Sequence, residues 1–115
     1  MLAFSVKTGN YTRQSKDIII NLKYWVYIIT TKHNKVLYTG MTNNIERRLS
    51  EHQNKVYSRS FSKRYNVNKL VYLEEFSSAK DALLREKQIK KWNRSWKIAL
   101  VKQMNPEMAD LSLGL

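Results

Sequence analysis

The chain contains no cysteine, and only two of its 115 residues are histidine. Without thiols there is no disulfide framework, no thiolate nucleophile and no zinc site built on sulfur. His33 and His52 stand nineteen positions apart, which leaves no metal motif built on paired histidines. Long apolar runs are missing too: stretches such as Trp25 to Ile29 fall far short of the ~20 residues that a membrane span requires. The first residues, MLAFSVKTGN, lack the charged start and extended apolar centre of a secretory signal. The expectation is a cytoplasmic protein with no membrane partner. The length suits one domain that buries roughly two-thirds of its unfolded surface.

Acids are also scarce. Lysine and arginine total 21 against 9 aspartates and glutamates, giving a net charge of +12. The excess is concentrated. Arg47, Arg48, Lys55, Arg59, Lys63 and Arg64 face a single acid, Glu51, between positions 47 and 64. Arg85, Lys87, Lys90, Lys91, Arg94, Lys97 and Lys102 face only Glu86 between positions 85 and 102. Aromatic residues interleave both stretches: Tyr57, Phe61 and Tyr65 in the first, Trp92 and Trp96 in the second. Cations that meet phosphates, with rings that stack on bases, form a nucleic-acid footprint.

Residues 1–22 read as a loosely held extension, 23–110 as the folded domain and 111–115 as a short tail. The segments at 24–30 and 36–41 are rich in β-branched and aromatic residues and read as strands joined by a hairpin turn at Asn34. A loop of two or four residues puts Tyr27 and Tyr38 on one face of the sheet, because side chains alternate with period two. Asn43 is placed to cap the following helix, with Glu46 completing a capping box. Ile45, Leu49, His52 and Val56 share one arc of that helix, with Arg48 at its edge and Arg47 pointing nearly the opposite way. A polar, basic loop over 57–68 leads to a third strand over 69–76. Ser78 then caps a helix from Ala79 to about Trp92, whose inward stripe runs Ala79, Ala82, Leu83, Glu86, Ile89 and Asn93. A last helix, Trp96 to about Met104, ends at Asn105-Pro106. Glu86 is a lone acid on an apolar stripe, which is costly without a partner. Either a base such as Arg48 or a divalent metal answers that cost.

The segments WVY (25–27), YTG (38–40), NIERRLSEH (44–52) and REKQIKKW (85–92) together resemble the GIY-YIG nuclease family. The likeness is greatest to small single-domain members related to the amino-terminal domain of the GIY-YIG excinuclease, and it covers roughly residues 24–110. The resemblance implies an α+β fold, a three-stranded antiparallel sheet flanked by helices. It also implies endonucleolytic hydrolysis of DNA phosphodiesters with Mg²⁺ or Mn²⁺, in DNA repair or processing. Carried over by position, Tyr27 and Tyr38 are the motif tyrosines, Arg48 the catalytic arginine, Glu86 the metal ligand and His52 an alternative base. On the same footing, Gly40 is a tight turn beside the scissile phosphate, and Asn93 or Asn105 matches an asparagine that relatives place after the glutamate helix. The nucleic-acid contacts then fall to Arg47, Lys55, Arg59, Lys63, Arg64, Lys87, Lys90, Lys91 and Arg94, with RNA open as well as DNA. Two alternatives stand beside the enzyme: a binding module that keeps the fold and hydrolyses little, and a basic face that docks an acidic protein partner.

Overall fold

The computed structural model describes residues 22–53, 67 and 69–114, and these form three strands, three α-helices and a short 3₁₀ turn. The extension at 1–21, the basic loop with Lys55, Arg59, Lys63 and Arg64, and the inward position of Val56 all lie outside the described residues. Strand β1 (Tyr24–Thr30) is central, flanked by β2 (Leu37–Thr42) and β3 (Lys69–Phe76) in the order β2-β1-β3, both pairings antiparallel. The strands therefore match the sequence reading, with β2 beginning one residue later than expected. Helix α1 (Ile45–Gln53) follows β2; α2 (Ala79–Lys90) and α3 (Arg94–Met104) follow β3. A 3₁₀ turn over Leu111–Gly114 forms where a plain tail was expected, after Asp110 accepts the Leu70 N–H at 3.2 Å.

Period-two alternation divides the sheet between two cores. On one face Val26 and Ile28 pack with Ala82 and Ile89 of α2 and Val101 of α3. On the other, Tyr27 and Ile29 pack with Ile45 and Leu49 of α1. The alternation is broken once. Ile28 pairs with Tyr72 and Ile29 with Leu70, so Val71 is an extra residue in β3, a bulge. It explains why the adjacent Val71 and Tyr72 both join the α2–α3 core while Leu70 and Leu73 both lie toward α1. Asn105, expected as a site candidate, is instead a buried structural clamp: its Nδ2 donates to Val71 O at 3.0 Å and to Ala109 O at 2.9 Å. A bulge leaves its extra residue outside the ladder, and a side-chain amide here supplies a partner.

The caps correct two further readings. Asn44, not Asn43, caps α1: its Oδ1 accepts the Arg47 N–H at 3.0 Å, and Thr42 Oγ1 accepts the Asn44 N–H at 3.0 Å. Asn93 is no part of α2's inward stripe; it is the N-cap of α3, accepting from Trp96 N at 2.9 Å and Ser95 Oγ at 2.8 Å. Ser78 caps α2 as expected, accepting from Asp81 N. On α2 itself Ala82 and Ile89 are buried, whereas Ala79 is exposed and Leu83 is 41% exposed, so neither belongs to the inward stripe. Arg94, expected on nucleic acid, reaches back to the β1–β2 turn and donates to the carbonyls of Asn34 and Lys35. Asn34 adopts a left-handed φ of 62°, a conformation that asparagine tolerates better than most residues.

Candidate active site

The hairpin loop spans residues 31–36, six residues where two or four were expected, but the number is still even and the two tyrosines share a face. Tyr38 pairs with Ile29, two positions from Tyr27 along β1, and the two tyrosine rings lie 6.4 Å apart on the α1 face. Helix α1 closes over them. His52 is buried, its ring 5.4 Å from Tyr38 and 6.0 Å from Tyr27, and its Nε2 lies 3.2 Å from the Tyr27 hydroxyl. The sequence placed Ile45, Leu49 and His52 on one arc, and all three are buried.

Gly40 does something other than turn the chain. It lies inside β2, directly opposite Tyr27. A Cβ there would sit 2.5 Å from Tyr27 Cζ and closer still to the hydroxyl oxygen. The missing side chain is the space that the Tyr27 ring occupies. Glycine is required here for a close approach rather than for backbone freedom.

The adjacent arginines separate as their angles predict. The Arg47 side chain is 56% exposed and the Arg48 side chain 28%. Both share one acid that the sequence reading did not assign: Glu51 lies 3.3 Å from Arg48 Nε and 3.9 Å from Arg47 Nε. The (i, i+3) and (i, i+4) spacings from the two arginines were the available signal. The Arg48 charge also favours the ionised form of the Tyr27 hydroxyl.

Burial raises the Tyr27 phenol well above its ordinary value of 10.0, with Tyr38 and Glu86 adding to the rise and Arg48 opposing it. Tyr27 is therefore a neutral phenol at physiological pH. It can donate or accept a hydrogen bond, but it is not a base. Burial, followed by the Arg48 charge, lowers His52 below 6.5, with Glu51 partly opposing. The imidazole is neutral too. With Nε2 on Tyr27 and Nδ1 buried, His52 offers no nitrogen to an incoming water. It orients Tyr27 instead.

Glu86 projects from α2 and is felt electrostatically by the Tyr27 phenol. Its side chain is 14% exposed, and its ion-pair partner is Lys90 at 3.1 Å rather than Arg48. That (i, i+4) spacing is legible in the sequence, where the density of lysines points Lys90 to nucleic acid instead. Among the described residues no cluster of three or more histidines, acids or cysteines could hold a metal. A single carboxylate still fits Mg²⁺ or Mn²⁺, which draw their other ligands from water and substrate phosphate. Lys90 is half-exposed and can swing aside.

Two tyrosines, an arginine and a glycine thus sit on one hairpin and helix, with a glutamate on a later helix. Residues 23–99 match the GIY-YIG catalytic domain. The chain belongs to the GIY-YIG family. A UPF0213 protein of Syntrophus aciditrophicus is 47% identical over 85 residues, 74% of this chain and 95% of its own length. One from Staphylococcus haemolyticus is 38% identical over 81 residues, 70% of this chain and 96% of its own. The solution NMR structure of a UPF0213 protein from Bacillus halodurans superposes with a TM-score of 0.51 at 25% identity, covering 77% of this chain and 93% of that one. In this GIY-YIG chain no described helix is long and apolar enough to cross a membrane.

Proposed function

We propose that the protein is a divalent-metal-dependent endonuclease that hydrolyses DNA phosphodiester bonds in repair or processing. The observation that carries the reading is the convergence of Tyr27, Tyr38, Arg48 and His52 in one buried-to-exposed gradient, with Glu86 in electrostatic reach. Tyr38, less buried than Tyr27 and beside it, takes the proton of the attacking water once its own phenolic proton has passed to solvent. Arg48, always charged and forked, holds the phosphate as negative charge accumulates. Glu51, 3.3 Å from Arg48 Nε, helps hold the guanidinium, and Tyr27 is itself fixed by His52 and by the space at Gly40. Glu86 is the residue that would hold Mg²⁺ or Mn²⁺, which when bound supplies neutralisation of the leaving oxygen. The exposed Lys87 and its neighbours Lys91 and Lys102 hold the backbone of the nucleic acid.

The test is cleavage of labelled single-stranded, duplex and branched DNA, with RNA alongside, with and without Mg²⁺ or Mn²⁺. Products only with metal support the reading. One observation favours a second reading, a binding module with little hydrolysis: Lys90 already neutralises Glu86. Binding without cleavage under either cation selects it. Under both readings binding is expected to be steeply salt-dependent. Neutralising about six phosphates costs on the order of 10³-fold in affinity between 50 and 200 mM salt. A flat titration would exclude nucleic acid as the ligand of the basic surface.

Arg47 and Arg48 should diverge. Arg48→Ala is expected to remove cleavage while DNA affinity changes little, and Arg47→Ala to weaken binding with the cleavage step retained. Single-turnover cleavage rates and binding isotherms of the two variants check this; equal losses of cleavage would mean that Arg48 has no special place at the phosphate.

A further inference from the structure

The two tryptophans of the second basic stretch take no part in that chemistry. Trp92 packs partly into the α2–α3 core, on the sheet face opposite Tyr27. Trp96 joins neither core and is 59% exposed. The rings meet edge-to-face, 5.9 Å apart at 76°, and the Arg85 guanidinium lies 5.5 Å from the centre of Trp92. Arg85 is itself held by Glu74 at 3.0 Å, so the Trp92 end of the pair is rigid. With Ala99, Leu100 and Gln103 the tryptophans line an open groove of about 190 Å³. Positions 96, 99, 100 and 103 recur at helical spacing on α3, which puts them on one side, and Trp92 stands just before that helix's N-cap. The two indoles with Ala99 and Leu100 make a contiguous apolar surface open to solvent, the kind of patch that marks a ligand-binding site.

The size and charge of the surroundings choose that ligand. The groove is smaller than the 300–1,000 Å³ typical of small-molecule clefts and suits a single planar ring system. Along the same stretch Lys87, Lys91, Lys97 and Lys102 have no ion pair among the described residues. A second copy of this chain would bring another +12 of charge against those lysines and be repelled. A flat ring on a polyanionic backbone satisfies both requirements. We infer that the Trp92–Trp96 groove is a stacking site for an unpaired nucleobase, a second nucleic-acid contact away from the candidate active site. It rests on the nucleic-acid reading above and adds a preference for substrates with single-stranded character. Base–aromatic stacking is sequence-tolerant, so the site selects strandedness and not sequence.

The experiment compares wild type, Trp96→Ala and Trp96→Phe with a short oligothymidylate and with a blunt duplex of equal phosphate count, by fluorescence anisotropy in chelator. Trp96 lies outside both cores, so the variants should fold. Trp96→Ala is expected to weaken oligothymidylate binding roughly tenfold or more while duplex binding stays within about twofold, and Trp96→Phe to restore most of the loss. Equal losses on both ligands, or a loss on neither, overturn the inference and leave the nuclease reading standing. Wild type that binds neither overturns both. If sedimentation finds a dimer that Trp96→Ala converts to monomer while oligothymidylate binding is unchanged, the groove is an interface between copies and the inference fails.

Discussion

Gly40→Ala is expected to cost about 1–3 kcal/mol of stability and to disable cleavage, although it adds only a methyl group. In most strands alanine is the better residue, since glycine loses more backbone entropy on folding. Here the new Cβ would lie 2.5 Å from Tyr27 Cζ. The ring has nowhere to go: Tyr27 is 1% exposed and bonded to His52 at 3.2 Å. Moving it would break that hydrogen bond in a buried site and disturb the Tyr38 and His52 rings packed around it. Chemical denaturation of Gly40→Ala in the wild-type and Tyr27→Ala backgrounds checks the cause. With the ring removed, the glycine substitution should become neutral or stabilising, a coupling that a double-mutant cycle reads directly. An equal penalty in both backgrounds would mean that glycine serves the backbone of β2 and not the tyrosine.

Glu86→Gln is expected to lower cleavage by on the order of 10²–10³-fold or more while leaving the fold and DNA binding intact. The substitution keeps the size and hydrogen bonding of the side chain and deletes its charge. Had Arg48 been its partner, a cation in the site would be stranded and the loss would be roughly 3–5 kcal/mol. The partner is Lys90, half-exposed, which can return its ammonium to water. An (i, i+4) helix pair is worth only about 0.3–0.5 kcal/mol, so the thermal midpoint should hardly move. Removing the charge also removes one influence that holds the Tyr27 phenol high. Thermal unfolding without metal and single-turnover cleavage with Mg²⁺ or Mn²⁺ check the two halves. A variant that unfolds several degrees lower would make Glu86 a structural acid; one that cleaves normally would remove it from the reaction.

The strands, the central hairpin and the split of Arg47 from Arg48 were legible because each follows from a fixed period: two along a strand, 100° around a helix. The same periods placed His52 inward beside the tyrosines. What was not legible depends on partners distant in sequence. Gly40 resembles a turn glycine until the register sets Tyr27 across from it. Arg94 resembles a phosphate-binding cation until the fold brings the carbonyls of Asn34 and Lys35, some sixty residues earlier, within reach. Asn105 follows the same rule, since no local pattern announces a bulge in β3. Glu86 marks the middle ground: Lys90 was one turn away and readable, but a helix wheel cannot say which of several lysines holds an acid.

The bulge at Val71 also determines how the third strand tolerates changes in length. Deleting one residue there would restore an unbroken ladder with β1, and the cost to strand pairing itself would be small. Tyr72 would stay opposite Ile28 and Leu73 opposite Tyr27, so no side chain beyond the deletion would change faces. The loss would fall on the core and on Asn105: Val71 is fully buried in the α2–α3 core, and its carbonyl accepts from the Asn105 amide at 3.0 Å. Asn105 would keep Ala109 O and be left with a buried amide one acceptor short. A segment that would pair well after the deletion is thus held to its present length by one valine's place in the core, and by an asparagine thirty-four positions away.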